Sequence, residues 1–261
     1  MSNISKVLEE VKASGRKAFI PFITAGDPDV ESTEKFIYAL EKAGSSVIEV
    51  GIPFSDPVAD GPVIQEANLR AMAGGINLDK AFNVIANVRK NTQIPIVFLM
   101  YANTIHYYKI DKFFAKCKEV GVDGVIVPDL PTEEKEEFDV VARDYDVDII
   151  SLVAPTSKDR TKAICENARG FLYCVSSLGV TGTRDEIKTN FGPMFDEIDK
   201  YANIPTALGF GISTPEQAKA LKEYADAIIV GSAIVKIIEQ NGANSEEKLY
   251  EFASSIVNAI N

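Results

Sequence analysis

The 261-residue sequence has no tryptophan, one histidine and three cysteines. The missing tryptophan excludes nothing by itself. A lone histidine, His106, leaves no His-based metal cluster and no His–Ser or His–Cys relay, so no metal site is expected. It lies in a tyrosine-rich stretch and reads as a surface residue. Cys117, Cys165 and Cys174 are far apart and form no CxxC pair, which fits buried or idle thiols in a reducing compartment. No run of about 18 apolar residues occurs, and residues 1–15 are polar and charged, without the apolar core of a signal peptide. A cytoplasmic chain with no membrane span is therefore expected. Positive charge is in deficit too: 27 Lys and Arg against 38 Asp and Glu give a net charge of −11, which argues against nucleic-acid binding. No GxGxxG follows a strand and no GxxxxGK[ST] exists, so nucleotide cofactors lack their usual signature. No strand ends in lysine, which argues against Schiff-base chemistry.

What is present is a repeating pattern. Apolar residues make up 46% of the chain and charged residues 25%, ordinary values for a folded domain. Eight short, β-branched runs occur, at 18–23, 46–50, 94–100, 124–127, 148–153, 171–175, 204–208 and 227–230. They are nearly continuous in hydrophobicity, as strands covered on both faces should be. Between them lie charged segments of helical spacing, among them 32–42, 78–89, 111–120, 132–145, 158–168 and 214–224, with 245–260 as the last. Asp111, Thr132, Ser157 and Thr214 stand where capping residues belong, the last followed by Pro215. Eight strand–helix units point to a closed barrel or a doubly wound sheet, and the count favours a single-domain (β/α)8 TIM barrel spanning 1–261. Residues 4–12 read as an extra N-terminal helix able to plug the barrel floor.

Two connections are long, 51–61 (GIPFSDPVADG) and 176–192 (SSLGVTGTRDEIKTNFG). Both follow strand C-termini, the active-site face of barrel enzymes. The second reads as a lid closing over substrate. Glu49 lies in the apolar strand SVIEV near its end. Burial there favours the neutral acid and suits general acid–base work, although a structurally paired Glu would look the same. Asp60 and Asp56 stand in the loop that follows, where an Asp is often only turn chemistry; shared location with Glu49 lifts Asp60. After the seventh and eighth strands come GFGIS and GSAIV, glycine-bearing loops that let backbone N–H groups meet a phosphate.

The stretches VIEVGIPFSDPVADGPVIQEANLRAM, PIVFLMYAN, GVDGVIVPDLP, SSLGVTGTR, GFGIS and GSAIVKIIE, in order along essentially the whole chain, resemble the α subunit family of tryptophan synthase. The resemblance implies a (β/α)8 fold and cleavage of indole-3-glycerol phosphate to indole and glyceraldehyde 3-phosphate. It implies no cofactor on this chain, and a pyridoxal-phosphate β subunit as partner in an α2β2 assembly. By the same resemblance Glu49 and Asp60 match the catalytic pair and Tyr173 the active-site tyrosine. Phe22, Leu99 and Phe210 match the substrate-facing wall, and Gly211, Gly231 and Ser232 the phosphate ligands. Thr181 and Gly182 match the closing loop. The run MYANTIHYY departs from many members and leaves the partner contact open. Three alternatives stand beside the lyase subunit: a free-standing indole-releasing lyase, a chain kept chiefly to regulate the β subunit, and an unrelated phosphate-binding isomerase on the same fold.

Overall fold

A computed structural model describes residues 2–131, 133–175, 191–209 and 211–261. Eight parallel strands follow one another around a closed barrel: β1 Ala18–Thr24, β2 Ile48–Gly51, β3 Ile96–Leu99, β4 Gly124–Ile126, β5 Asp148–Val153, β6 Leu172–Val175, β7 Thr206–Gly209 and β8 Ala227–Val230. Pairing of Ala18 with Ala227 and of Pro21 with Val230 closes it. The expected barrel is the observed one, and β5 and β8 keep their expected bounds.

The helices are α1 Asn3–Ala13, α2 Val30–Lys42, α3 Pro62–Ala73, α4 Leu78–Val88, α5 Ala102–Tyr108, α6 Ile110–Val120, α7 Lys135–Asp144, α8 Thr161–Glu166, α9 Gly192–Ile198, α10 Pro215–Leu221, α11 Ser232–Asn241 and α12 Glu246–Ile260. Local chemistry sets several starts. Side-chain oxygens of Ser2, Asp29, Asn77 and Thr214 accept from the N–H groups of Ser5, Ser32, Lys80 and Gln217, each satisfying a donor that the helix leaves unpaired. Thr214 is thus the cap expected of it. Asp111 is not: Lys109, at φ +79°, occupies the cap position between α5 and α6. Asp111 falls in the first turn and accepts from the Tyr145 hydroxyl at 2.9 Å. Ser157 precedes a 3₁₀ turn, Lys158–Arg160, and its hydroxyl accepts from the Ala154 N–H. The long helix expected at 158–168 is therefore that turn plus the six residues of α8. Thr132 lies outside the described residues.

Two cores result from the period-2 alternation of the strands. Ile23, Ile48, Val50, Phe98, Leu172 and Cys174 face the helices in one cluster. Ile20, Val97, Ile126, Ile150, Phe171 and Ile229 fill the barrel, and Ile4 and Leu8 of α1 close it from below. The floor plug fits because β4 begins with glycine: a Cβ on Gly124 would stand 2.8 Å from Ile4 Cδ1 and 3.0 Å from the Asp148 carbonyl oxygen. All three cysteines are free and buried. No helix among the described residues is long and apolar enough to cross a membrane.

Candidate active site

Since Ile48 and Val50 face the helices, the alternation turns Glu49 into the barrel. The same rule, applied between Leu172 and Cys174, turns Tyr173 inward. Register then gathers the site: Glu49 pairs with Phe22 of β1 and Val97 of β3, and Gly51 with Leu99. Two strand glycines make room. A Cβ on Gly51 would meet the Phe22 ring at 2.5 Å, and one on Gly209 the Tyr173 hydroxyl at 2.7 Å.

At the carboxyl ends of the strands a cavity is lined by Phe22, Glu49, Asp60, Leu99, Tyr173, Gly211, Gly231 and Ser232. Eight of the eleven residues expected from sequence thus converge on one space. The other three, Thr181, Gly182 and Phe210, lie outside the described residues, as does most of the expected lid. Ile64 of α3, Ile212 and Ile229 also line the cavity; none of them was singled out from the sequence. Asp56, the competing loop carboxylate, lies on the surface, bonded to Ser55. His106 is exposed, its ring edge-on to Phe138 at 5.0 Å.

The two carboxyls differ in surroundings. Glu49 is 1% exposed and its Oε2 has no hydrogen-bond partner among the described residues. Burial first, and the charge of Asp60 second, push its pKa to about 8. Asp60 is 5% exposed. Burial raises it as well, but hydrogen bonds from the Tyr101 hydroxyl and the Asn68 amide draw it back, to about 6. Asn68 Nδ2 stands 3.5 Å from Asp60 Oδ2, and Gln65 Nε2 donates to the Asp60 carbonyl at 2.7 Å. Tyr101, 1% exposed, accepts from the Ala59 N–H at 3.1 Å and stacks on Phe54 with ring centroids 5.0 Å apart. Tyr101 and Asn68 lie within the quoted stretches but were assigned no role, although Asn68 interrupts the buried face Ile64–Ala67–Ala71 of α3, where a lone polar residue is a signal.

The glycines Gly211 and Gly231 belong to the same lining. Gly211 has φ +85°, a left-handed backbone that favours glycine. Gly231 precedes α11 without a side-chain cap, and its carbonyl accepts from Ile234 and Val235. The N–H groups of Ser232 and Ala233 precede those donors and have no acceptor within the helix. Among the described residues no cluster of His, Cys, Asp or Glu is arranged to hold a metal ion.

Two carboxyls with separated pKa values in one enclosed cavity suit acid–base catalysis, and the fold puts them where barrel enzymes carry out chemistry. That defines the class. A model of the tryptophan synthase alpha chain family matches residues 8–260. The tryptophan synthase alpha chain of Thermoanaerobacter sp. (strain X514) is 49% identical over 256 residues, covering 98% of this chain and 97% of its own length. That of Alkaliphilus metalliredigens is 46% identical over 261 residues, covering 97% and 98%. The crystal structure of tryptophan synthase subunit alpha from Legionella pneumophila superposes with a TM-score of 0.89 at 36% identity, covering 100% of this chain and 98% of that one. A chain of the a2b2 complex from Pyrococcus furiosus gives 0.83 at 35% identity, covering 93% and 99%. The chain belongs to the tryptophan synthase alpha chain family and is a lyase of tryptophan biosynthesis.

Proposed function

We propose that Glu49 and Asp60 divide the acid–base work of the alpha reaction, the retro-aldol cleavage of indole-3-glycerol phosphate to indole and glyceraldehyde 3-phosphate. The separation of their pKa values carries this reading. At neutral pH Glu49 holds its proton and Asp60 has lost its own. Cleavage needs an electron sink, and indole becomes one when C3 is protonated. Glu49 gives its proton to C3. The ring nitrogen then bears positive charge, which the fixed Asp60 carboxylate stabilises. The Glu49 carboxylate removes the proton of the side-chain hydroxyl, the carbon–carbon bond breaks, and its electrons return to the ring. Indole and the aldehyde leave with Glu49 protonated again, so the cycle closes without lysine or metal.

Phe22, Leu99 and Tyr173 provide the wall against which an indole lies. Gly211, Gly231 and Ser232 take the phosphate on backbone N–H groups and the positive end of α11. This chain carries no cofactor of its own; it hands indole to a pyridoxal-phosphate β subunit in an α2β2 assembly, in the cytoplasm. The solved a2b2 complex of the Pyrococcus furiosus relative supports the partnership.

Indole release from indole-3-glycerol phosphate, measured with and without a β subunit, tests the roles. Glu49→Gln and Asp60→Asn should each lower turnover by about 10²–10⁴-fold with the fold intact, while Asp56→Asn stays near wild type. Activity of Glu49→Gln within a few-fold of wild type removes Glu49 from the role. An active Asp60→Asn beside an inactive Asp56→Asn means the other loop carboxylate is the one that works.

A further inference from the structure

A second cavity, of about 200 Å³, lies outside the barrel wall between β5, α7 and α8, and shares no lining residue with the first. One side is apolar, with Val127, Leu130, Ile149 and Ile164. The other carries donors. Lys135, whose side chain is only 12% exposed, reaches Ser151 Oγ at 2.7 Å. Ser157 offers a second hydroxyl, whose oxygen already accepts from the Ala154 N–H, leaving its proton free. Arg160 completes the lining, and among the described residues its guanidinium makes no hydrogen bond or ion pair.

A lysine hydrogen-bonded to a serine in a cavity could serve as a base for a nucleophile or as a cation for a ligand. The neighbours decide between these. Asp139 Oδ2 lies 3.7 Å from the ammonium, and that carboxylate favours the protonated lysine. Asp139 does not neutralise the region, because Arg143 shares the same oxygen at 3.6 Å. Burial pushes the Lys135 pKa down, Asp139 holds it up, and the charges of Arg143 and Arg169 push it down again. Two cations, Lys135 and Arg160, thus line the cavity, while Arg169 is taken up by Asp148 at 3.1 Å.

We propose that this cavity binds an organic oxyanion, with the charged end on Lys135, Arg160 and the two serine hydroxyls and the apolar body against Ile149 and Ile164. Charge-assisted hydrogen bonds to Lys and Arg are the strong ones.

Backbone amide NMR titration of the full chain with benzoate, with benzamide as its neutral counterpart, tests the assignment. Benzoate should shift the amides of Ser151, Ser157 and Asn167, and benzamide should bind about ten-fold more weakly, the value of one charge-assisted bond. Lys135→Met and Arg160→Gln should each weaken benzoate by a similar factor. Arg160 is exposed, so its variant tests the site even if Lys135→Met does not fold. Inorganic phosphate is the second probe, and its shifts at Ser157 should appear apart from any at Gly231. Benzoate shifts confined to the first cavity, no shifts at all, equal binding of benzoate and benzamide, or unaltered affinity in the folded variants would each overturn the proposal.

Discussion

A buried acid is a stability statement as well as a catalytic one. Glu49 titrates near its ordinary 4.5 when unfolded and near 8 in the fold. Folding therefore favours its protonated form: that contribution is whole below about pH 4.5 and is lost as pH rises through about 8. Glu49→Gln cannot ionise and escapes the loss. Measured by urea unfolding, its stability relative to wild type should rise by a few kcal/mol between about pH 5 and about pH 9, because each ten-fold change in the acid's dissociation constant is worth about 1.4 kcal/mol. A difference independent of pH would mean that Glu49 is not held neutral. Tyr101 is the second test at this scale. Its hydroxyl favours the ionised form of Asp60, so Tyr101→Phe should raise the Asp60 pKa and move the acid limb of the kcat/KM profile to higher pH. The Ala59 N–H also loses its acceptor, at a cost of about 1 kcal/mol. If stability falls but the pH profile stays in place, Tyr101 only braces the loop.

Among the elements, the strands were the most legible. A barrel strand is covered on both faces, so its run of apolar residues is unbroken, and β5 and β8 were bounded to the residue. Helix ends were harder. Asp111 and Asp29 are both acids before an apolar-periodic segment, yet only Asp29 caps. What separates them is the left-handed Lys109, a tertiary compromise between α5 and α6 that spacing does not encode. The site followed the same division. Glu49 stood out as the one acid in an apolar run, and Tyr173 came from the family resemblance. Asn68 and Tyr101 matter through what they touch: Asn68 turns back on Asp60 from one side of the helix that follows it, and Tyr101 reaches the same loop from the next strand's end. The N-terminal helix gives a test of its own. Leu8 is buried among strand residues inside the barrel, so Leu8→Ala should cost about 2–5 kcal/mol, while the exposed Lys6→Ala costs almost nothing. A cost for Leu8→Ala below about 1 kcal/mol would show that α1 rests on the barrel without being part of its core.

At the scale of the whole molecule, the same face that holds the carboxylates also carries unpartnered apolar surface. Val58, in the loop after β2, is 75% exposed; Leu69 of α3 is 61% exposed and Tyr107 of α5 is 88% exposed. Val58, Leu69 and Phe54 border one surface depression, and Phe54 stacks on Tyr101, which hydrogen-bonds Asp60. A partner seated on Val58 therefore presses on the segment that carries the carboxylate. Large apolar side chains in such a place mark a protein contact, and the expected occupant is the β subunit of the proposed assembly. Val58→Asp and Tyr107→Asp should each weaken the complex by about ten-fold or more, as loss of an apolar anchor does. Indole release by the isolated chain should change little, because neither side chain lines the cavity. The stimulation by the β subunit should fall in step with binding. Tyr250, 38% exposed on α12 beside Lys42, serves as the control, and Tyr250→Ser should leave the complex unaltered. Titration of each variant with a β subunit, followed by indole release, decides the matter. Full-strength binding by both Asp variants would put the partner on another face and cut the proposed line from Val58 to Asp60.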